Sequence, residues 1–361
     1  LIAGKGHEKT QDYGIKKLFF SDKEIIFNSI KSKNKSLSKN FKINIISEQS
    51  NKRLPTNFVM KSVSINSKTI KKGDVFFAIK GKKLNGNKFL PEAFQKKCSL
   101  AIVNQIQKKF PSIKQIKVSN TLNFLTKCSR IFRQNIDTKI ITITGSCGKT
   151  TLKEMMGNIL KKISNTTYSP KSFNNKYGVP ISLMSLRQND DFGVLEAGMD
   201  KKGEIDNLTK IIKPDLGVIT NISYAHSKNF KNIKLIADAK AEIIQNINTN
   251  GALSLNADDK FFKYHKDIAY KKKLNVLSFG IRNKLSFVKL IKIKKINKKK
   301  YELFIRVGKF IITFYSLNKN NSNLYNILAT LVVVNLYSNL RQLRKDIFLN
   351  LKIPEGRGDI S

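Results

Sequence analysis

The residues best suited to chemistry form a short run, GSCGKTT at positions 145–151, which combines glycines, hydroxyl groups and one lysine. Residues 140–144 before it are apolar or β-branched and predict a strand buried on both faces. Residues 149–160 after it carry apolar side chains at helical spacing and predict a helix. Such a turn aims backbone N–H groups and the positive end of a helix dipole at one point. The pattern therefore predicts a phosphate-binding loop.

Each polar residue of this run fits a different part of a nucleotide phosphate site. The Lys149 ammonium would supply a point charge for the outer phosphates, and the Thr150 hydroxyl could ligate the Mg2+ that accompanies a nucleotide. The glycine spacing is shorter than in G-x-x-x-x-G-K-[ST], and the alternative is an ordinary strand–helix turn with a solvated lysine. Cys147 has no identifiable base beside it and is interpreted as a small loop residue. The predicted nucleotide-binding residues are Gly145, Ser146, Cys147, Gly148, Lys149, Thr150 and Thr151.

Two other polar side chains follow stretches that predict strands. Glu196 ends the apolar stretch 192–196, and because an unpaired buried carboxylate is costly, a metal cation is its natural partner. The alternative is a carboxylate satisfied by hydrogen bonds. His226 ends the motif TNISYAH after the apolar stretch 216–221, a position suited to a metal or phosphate contact. The carboxyl ends of parallel strands meet at one edge of a sheet, so both side chains are predicted to lie near the loop.

The elements that must position these residues alternate between strands and helices, which predicts an α/β protein. Residues 136–351 predict a central domain with a doubly wound, mostly parallel sheet, and residues 287–317 predict a β-meander on its edge. Residues 57–135 predict a smaller α/β substrate domain. The Lys-, Asn- and Ser-rich residues 31–56 predict a linker, and the turn-forming residues 352–361 predict a hinge.

Composition narrows the classes of function. Lys and Arg number 68 against 25 Asp and Glu, which gives a formal net charge of +43. The lysines are spread over the whole chain without a nucleic-acid-binding motif, so we expect no nucleic acid partner but steering of a small polyanionic substrate. No run of about 18 apolar residues is present, so we expect no membrane span. Three cysteines do not build a disulfide framework, which is typical of the reducing cytoplasm.

Several motifs, taken in order, resemble the Mur ligase family. They are GSCGKTT, FNNKYGVP, LEAGMDKKGEI, PDLGVITNISYAH, ADAKAEI, LNADD and NLYNILA, and NSKTIKKGDVFFAIKG resembles that family's substrate-binding first domain. The family members that this sequence resembles most are those that add D-Ala-D-Ala to UDP-MurNAc-tripeptide. Residues 1–30 carry GKGHE and FSDKE, which resemble the C-terminal end of the ligase that adds the diamino acid. The chain is therefore expected to be cut at both ends, to cover the junction of two fused ligases and to lack the family's third, Rossmann-like domain.

The resemblance implies an ATP-dependent amide ligase of peptidoglycan precursor synthesis that acts through an acyl phosphate, and a fragment that is inactive alone. It implies that Thr150 and Glu196 hold one Mg2+ and that His226 helps to hold a second. Lys240 matches a lysine that is carbamylated in some relatives. The implied catalytic residues are Lys149, Glu196, His226 and Lys240. The residues expected near the nucleotide base and hinge are Asn323, Asn326 and Arg357, and those expected to face the UDP-sugar are Ser67, Asn174 and Asn175.

Two alternatives remain open at this point. The first is a ligase of the folylpolyglutamate synthase type, against which FNNKYGVP and NSKTIKKGD argue. The second is a nucleotide-binding module without catalytic activity. The protein is expected to be a monomer or part of a fused chain.

Overall fold

The computed structural model describes residues 10–12, 17–19, 40–55, 58, 60–81, 84–224, 229–349 and 351. In this part of the chain the strands are β1 (Thr10–Asp12), β2 (Lys17–Phe19), β3 (Val63–Ser64), β4 (Val75–Phe77), β5 (Leu100–Val103), β6 (Gln115–Lys117), β7 (Lys139–Thr144), β8 (Thr166–Tyr168), β9 (Phe192–Glu196), β10 (Leu216–Ile219), β11 (Ala252–Asn256), β12 (Asn275–Gly280), β13 (Val288–Asn297), β14 (Lys300–Val307) and β15 (Phe310–Ser316). The helices are α1 (Phe41–Ser50), α2 (Leu90–Gln95), α3 (Thr121–Gln134), α4 (Lys149–Lys161), α5 (Gly178–Ser185), α6 (Glu204–Ile212), α7 (Ile233–Gln245), α8 (Phe262–Lys271) and α9 (Asn321–Tyr337). Strands β1 and β2 pair with each other in antiparallel fashion.

The larger sheet has the strand order β15-β14-β13-β12-β11-β10-β7-β9-β8 within the described chain. The strands from β13 to β8 in this order run parallel. Every residue of β9 and β11 is buried, as their apolar sequences and their cover on both faces require. After β7 the chain adds β8 and β9 on one side and then β10, β11 and β12 on the other. A topological switch point therefore lies at the carboxyl end of β7.

Helices cover both faces of this sheet. Alternate residues of β7 face opposite sides of the sheet. Ile140 packs in a cluster with α3, α5, α6, α7 and α8 on one face, and Ile141 and Ile143 pack with α4 and α9 on the other. The predicted mixed α/β class with a mostly parallel sheet is confirmed. Among the described residues, no helix combines the length and the apolar character that a bilayer span needs.

The smaller sheet has the order β3-β4-β5-β6, and all of its pairs are parallel. Adjacent side chains of β4 face opposite layers. Phe77 joins the cluster that contains α3, whereas Phe76 packs against α2. Strands and helices alternate in this part of the chain, as the sequence of residues 57–135 predicted.

One part of the expected linker is a helix instead. Within 31–56, residues 41–50 form α1, whose Phe41, Ile43, Ile45 and Ile46 are buried. The Phe41 ring lies 5.9 Å from the ring of Phe132 in α3. These four apolar residues find a partner only in the tertiary structure, which is why the polar composition of the segment suggested a linker.

The meander predicted for residues 287–317 is present as β13, β14 and β15, which pair antiparallel and extend the parallel sheet. Within the larger sheet and the helices that cover it, the edge strand β8 and helix α8 were not predicted either. β8 has only three residues, and α8 buries only His265 and Ala269, so neither carries a strong periodic signal.

Candidate functional site

The run GSCGKTT connects β7 to α4 at the switch point of the larger sheet. Gly145 has a φ of 143° and Gly148 has a φ of 79°, both in the range that favours glycine. A Cβ at Gly145 would lie 1.9 Å from the Thr220 hydroxyl oxygen, so the position also requires glycine for space. Gly148 is the N-cap residue of α4. The loop therefore places the start of a helix at the carboxyl edge of β7.

The chain that follows β10 braces this loop. The amides of Ser146 and Cys147 donate to the backbone oxygen and the side-chain oxygen of Asn221, at 2.9 and 3.0 Å. The Thr220 hydroxyl donates to the Cys147 carbonyl at 2.8 Å. The Ser223 amide donates to the Ser146 hydroxyl at 2.9 Å. Two amides that were expected to face phosphate, those of Ser146 and Cys147, therefore hold the loop in shape instead. Thr220, Asn221 and Ser223, which brace the loop, lie in the motif TNIS but were not identified from the sequence.

The first turn of α4 supplies the remaining donors. Backbone N–H groups in the first turn of a helix have no acceptor within that helix and lie at the positive end of its dipole. The Lys149 ammonium donates to the Gly145 carbonyl at 2.8 Å and the Ser146 carbonyl at 3.3 Å. The lysine charge therefore lies directly over the loop, beside the helix start.

Thr150 and Glu196 form the predicted metal-binding pair. The Thr150 hydroxyl lies 3.3 Å from Oε2 of Glu196, and Asn174 Nδ2 donates to the same oxygen at 3.4 Å. The Ser172 hydroxyl lies 3.3 Å from that of Thr150. The Glu196 side chain has no exposed surface because it ends a strand buried on both faces. Two neighbouring strands, β7 and β9, thus bring a hydroxyl and a carboxylate together at one edge.

No group of three or more His, Cys, Asp or Glu residues suited to a metal occurs in the described part of the chain. His226 lies outside the described residues. A cation held by Thr150 and Glu196 would need further oxygens from water and phosphate, which is the coordination that Mg2+ prefers in nucleotide sites.

Lys240 is a completely buried lysine on α7. Its Nζ has no hydrogen-bond partner among the described residues. Burial, followed by repulsion from Lys149, lowers the pKa of the Lys240 amine from its ordinary value of 10.5 to about 7. A large fraction of this amine is therefore neutral near neutral pH, and a neutral amine is a nucleophile.

Lys153 is a residue of the site that sequence reasoning did not single out. It lies one turn after Lys149 on α4, its side chain has no exposed surface, and its ammonium is 3.5 Å from Oε1 of Glu196. A lysine among the apolar positions of an amphipathic helix was the available signal. Each oxygen of the Glu196 carboxylate thus faces a different neighbour.

Helix α9 reaches the loop with one of its two predicted asparagines. Asn326 is buried, and its Oδ1 lies 3.9 Å from the position that a Cβ on Gly148 would take. The Asn323 amide instead donates to the Ser316 hydroxyl and the Asn318 carbonyl at 3.1 and 3.0 Å. Arg357 lies outside the described residues.

A tyrosine on the same helix fixes its position relative to β11. The Tyr325 hydroxyl donates to Asp258 at 2.9 Å. Burial, followed by this hydrogen bond, raises the pKa of Tyr325 to about 12, so the hydroxyl stays a donor. Asp258 lies two residues after the end of β11, in the LNADD motif of the sequence.

The residues predicted to face a UDP-sugar have protein partners. The Ser67 hydroxyl donates to Glu92 Oε2 at 2.6 Å, and Ser67 is buried. Asn175 Oδ1 accepts from the amides of Tyr177 and Gly178, both at 3.0 Å, and so shapes the start of α5. Only Asn174 contacts the Thr150–Glu196 pair.

These features define an α/β protein with a glycine-bearing strand–helix turn at the switch point of its larger sheet and a buried carboxylate beside a hydroxyl next to that turn. The chain belongs to the Mur ligase family, because residues 143–334, more than half of its 361 residues, match the Mur ligase middle domain. Two curated relatives carry the name UDP-N-acetylmuramoyl-tripeptide–D-alanyl-D-alanine ligase. The one from Buchnera aphidicola subsp. Acyrthosiphon pisum is 37% identical over 227 residues, 63% of this chain and 49% of the relative. The one from Rickettsia prowazekii is 32% identical over 302 residues, 82% of this chain and 66% of the relative.

Solved structures agree with this assignment. A MurF crystal structure from Acinetobacter baumannii has a TM-score of 0.74 and 26% identity, and covers 87% of this chain and 69% of that one. MurF ligase from Thermotoga maritima in complex with ADP has a TM-score of 0.69 and 27% identity, and covers 84% and 69%. The chain spans about half to two thirds of the length of the two curated relatives.

Proposed function

We propose that the intact protein is an ATP-dependent amide ligase that joins D-Ala-D-Ala to UDP-MurNAc-tripeptide in the cytoplasm. The observation that carries the proposal is the convergence of Lys149, Thr150 and Glu196 beside a helix N-terminus at the switch point. The names of the relatives from Buchnera and Rickettsia support the choice of substrates. The Thermotoga structure with ADP supports ATP as the nucleotide.

The proposed reaction has two steps. A carboxylate oxygen of the tripeptide attacks the γ-phosphorus of ATP, the bond to the bridging oxygen breaks, and ADP leaves an acyl phosphate behind. The amine of D-Ala-D-Ala then attacks the acyl carbon, loses a proton and expels inorganic phosphate. Both reactants of the first step are anions, so charge neutralisation and alignment dominate the catalysis.

The residues of the loop provide that neutralisation. The Lys149 ammonium, which contacts the carbonyls of Gly145 and Ser146, would exchange them for β- and γ-phosphate oxygens. Amides of the first turn of α4 would hold the other phosphate oxygens. Asn326, beside Gly148, would lie near the nucleotide base, together with Asn323 and Arg357.

The Thr150–Glu196 pair fits a magnesium ion. Octahedral Mg2+ holds oxygens at 2.0–2.1 Å, so neighbouring ligands lie about 3 Å apart. The observed 3.3 Å between the Thr150 hydroxyl and Glu196 Oε2 is close to that spacing. When bound, Mg2+ would neutralise charge on the phosphate oxygens. His226 is proposed to help hold a second Mg2+.

Lys240 is proposed to act as a carbamate. A neutral lysine amine adds to the carbon of CO2 and loses a proton to solvent, which converts the neutral amine into an anionic carbamate. The pKa of about 7, set mainly by burial, supplies the neutral amine that this addition needs. The carbamate anion would relieve the repulsion between Lys240 and Lys149 and support cations bound nearby.

The substrate-side residues complete the proposal. Ser67, Asn174 and Asn175 are proposed to face the UDP-sugar. Of the three, Asn174 contacts Glu196. The GKGHE and FSDKE motifs of residues 1–30 support a fusion to a diamino-acid-adding ligase, and residues 352–361, which lie outside the described residues, are proposed to form a hinge.

The decisive experiment uses the intact protein with UDP-MurNAc-tripeptide, D-Ala-D-Ala, ATP and Mg2+, and follows the ligated product by mass spectrometry. We expect product from the wild type and essentially none from Glu196→Gln, which keeps the side-chain shape but loses the charge. Glu302→Gln in the meander is the matched control and should keep full activity. Turnover of folate and glutamate in place of these substrates would favour the folylpolyglutamate alternative. Nucleotide binding without any turnover would favour a non-catalytic module.

A further inference from the structure

We propose that Lys153 makes Glu196 a one-oxygen metal ligand and thereby selects Mg2+ over Ca2+ at the nucleotide site. The inference rests on the proposed function, because it concerns the cation that Thr150 and Glu196 would hold. It adds a specificity-determining residue whose side chain has no exposed surface.

The Lys153 ammonium is fixed by three oxygen neighbours. It lies 3.5 Å from Glu196 Oε1 and 2.9 Å from Glu154 Oε1, and it donates to the Lys171 carbonyl at 2.5 Å. Lys171 has a φ of 47°, which turns the chain between β8 and α5. The buried ammonium is held in this position, because moving it away would leave two carboxylates without their cationic partner.

The two oxygens of Glu196 are consequently not equivalent. Oε2 faces the Thr150 hydroxyl and the Asn174 amide, on the side of the phosphate loop. Oε1 faces the Lys153 ammonium, and it accepts no hydrogen bond among the described residues. A cation beside Thr150 therefore has access to Oε2, whereas a positive charge already occupies the side of Oε1.

This division suits one cation and disfavours another. Mg2+ takes six ligands in a tight octahedron, keeps several waters and accepts a carboxylate through one oxygen. Ca2+ takes six to eight oxygens and often uses both oxygens of one carboxylate. The Lys153 ammonium repels any cation that approaches Oε1, so the two-oxygen mode is lost to Ca2+ while the one-oxygen mode of Mg2+ remains.

The test measures metal binding and does not require turnover. The intact protein is saturated with ADP and Mn2+, and bound Mn2+ is displaced with Mg2+ or with Ca2+ while free Mn2+ is followed by electron paramagnetic resonance. In the wild type, Mg2+ should displace Mn2+ at lower concentration than Ca2+ does. Lys153→Met should lower this Mg2+-over-Ca2+ preference by about tenfold, which corresponds to ~1.4 kcal/mol. Lys153→Arg, which keeps the cation, should retain the preference.

Lys161→Met on the same helix is the matched control, because Lys161 is exposed and should leave the preference unchanged. If Lys153→Met does not fold, Lys153→Gln takes its place, since it keeps a polar group for the Lys171 carbonyl. An unchanged preference in a folded neutral variant overturns the inference and leaves the proposed function standing. Failure of the wild type to bind Mn2+ with ADP overturns both.

Discussion

The Thr150 hydroxyl and the Glu196 carboxylate lie 3.3 Å apart although they are 46 residues apart in the chain. They meet because β7 and β9 are neighbours in a parallel sheet and both end at the same edge. Strand β8 lies between β7 and β9 in sequence, but it pairs at the outer edge of β9 and does not separate the two strands. The proximity of the two residues proposed to hold the metal is therefore a product of strand order.

Lys149→Ala should lower ligation by about 100- to 1,000-fold, the usual loss when one donor to developing charge is removed. The reason is that the Lys149 ammonium lies over the loop, where the outer phosphates would bind. The rate of ADP formation by the intact protein at saturating substrates measures the effect. Lys161→Ala, at the exposed end of the same helix, should keep nearly the wild-type rate. A Lys149→Ala rate within threefold of wild type would remove the lysine from catalysis.

Gly145→Ala should destabilise the protein by ~3 kcal/mol or more, because the backbone is strained and the space is already filled. The new methyl group would lie 1.9 Å from the Thr220 hydroxyl oxygen. Gly203→Ala is the matched comparison, since Gly203 has a φ of 87° but nothing within 4 Å of its Cβ position. It should cost only about 1 kcal/mol, from backbone strain alone. Urea unfolding midpoints decide between them, and equal costs would show that the Thr220 contact does not matter.

Lys240 should make stability depend on pH above neutrality. The pKa of its amine falls from 10.5 to about 7 on folding, chiefly through burial. Between these values the unfolded chain binds more protons, so the free energy of unfolding rises with pH, by at most about 1.4 kcal/mol per unit. Below pH 7 the full penalty of the buried charge is present. In CO2-free buffer, the free energy of unfolding of the wild type minus that of Lys240→Met should therefore rise from pH 7 toward pH 10. A difference that does not change with pH would contradict the lowered pKa.

The same amine should bind CO2. With 13C-bicarbonate at pH 8, we expect a carbamate carbon resonance from the wild type that is absent from Lys240→Arg, whose guanidinium stays protonated. The signal should weaken on acidification below pH 7, since the neutral amine is the reacting form. A wild-type spectrum without this resonance at pH 8 would mean that Lys240 acts as a free amine.

Arg133 should matter for stability far more than the exposed Arg344. Its guanidinium donates to the Ile212 and Lys213 carbonyls and to Asp215 Oδ2 at 2.8–2.9 Å, with only 8% of the side chain exposed. Arg133→Met should destabilise by ~3 kcal/mol because it removes the buried charged partner of Asp215 and the guanidinium donors to two carbonyls. Arg344, which pairs with Asp346 at the surface, should show no measurable change on conversion to Met. Thermal unfolding of both variants at one pH provides the comparison.

Local sequence was enough to predict the glycine-bearing turn at 145–148, the strand before it, the helix after it and the edge meander. Each of these is determined by residues close together in the chain. The signals are the periodicity of apolar residues and the positive φ that Gly145 and Gly148 allow. Residues 41–50 show the limit of this reasoning. Phe41 and three isoleucines are apolar, but only contact with α3 shows that they form part of the core.

The sequence by itself determined the α/β class, the resemblance to the Mur ligases and the identity of Lys149, Thr150 and Glu196 as candidates for phosphate and metal chemistry. Tertiary structure alone decided which side chains meet: that Asn221 takes two loop amides, and that Lys153 shares the Glu196 carboxylate with Thr150. The physical reason is range. Backbone propensity and periodicity act over a few residues and can be read along the chain, whereas the contacts that set charge and coordination join strands that become neighbours only when the sheet forms.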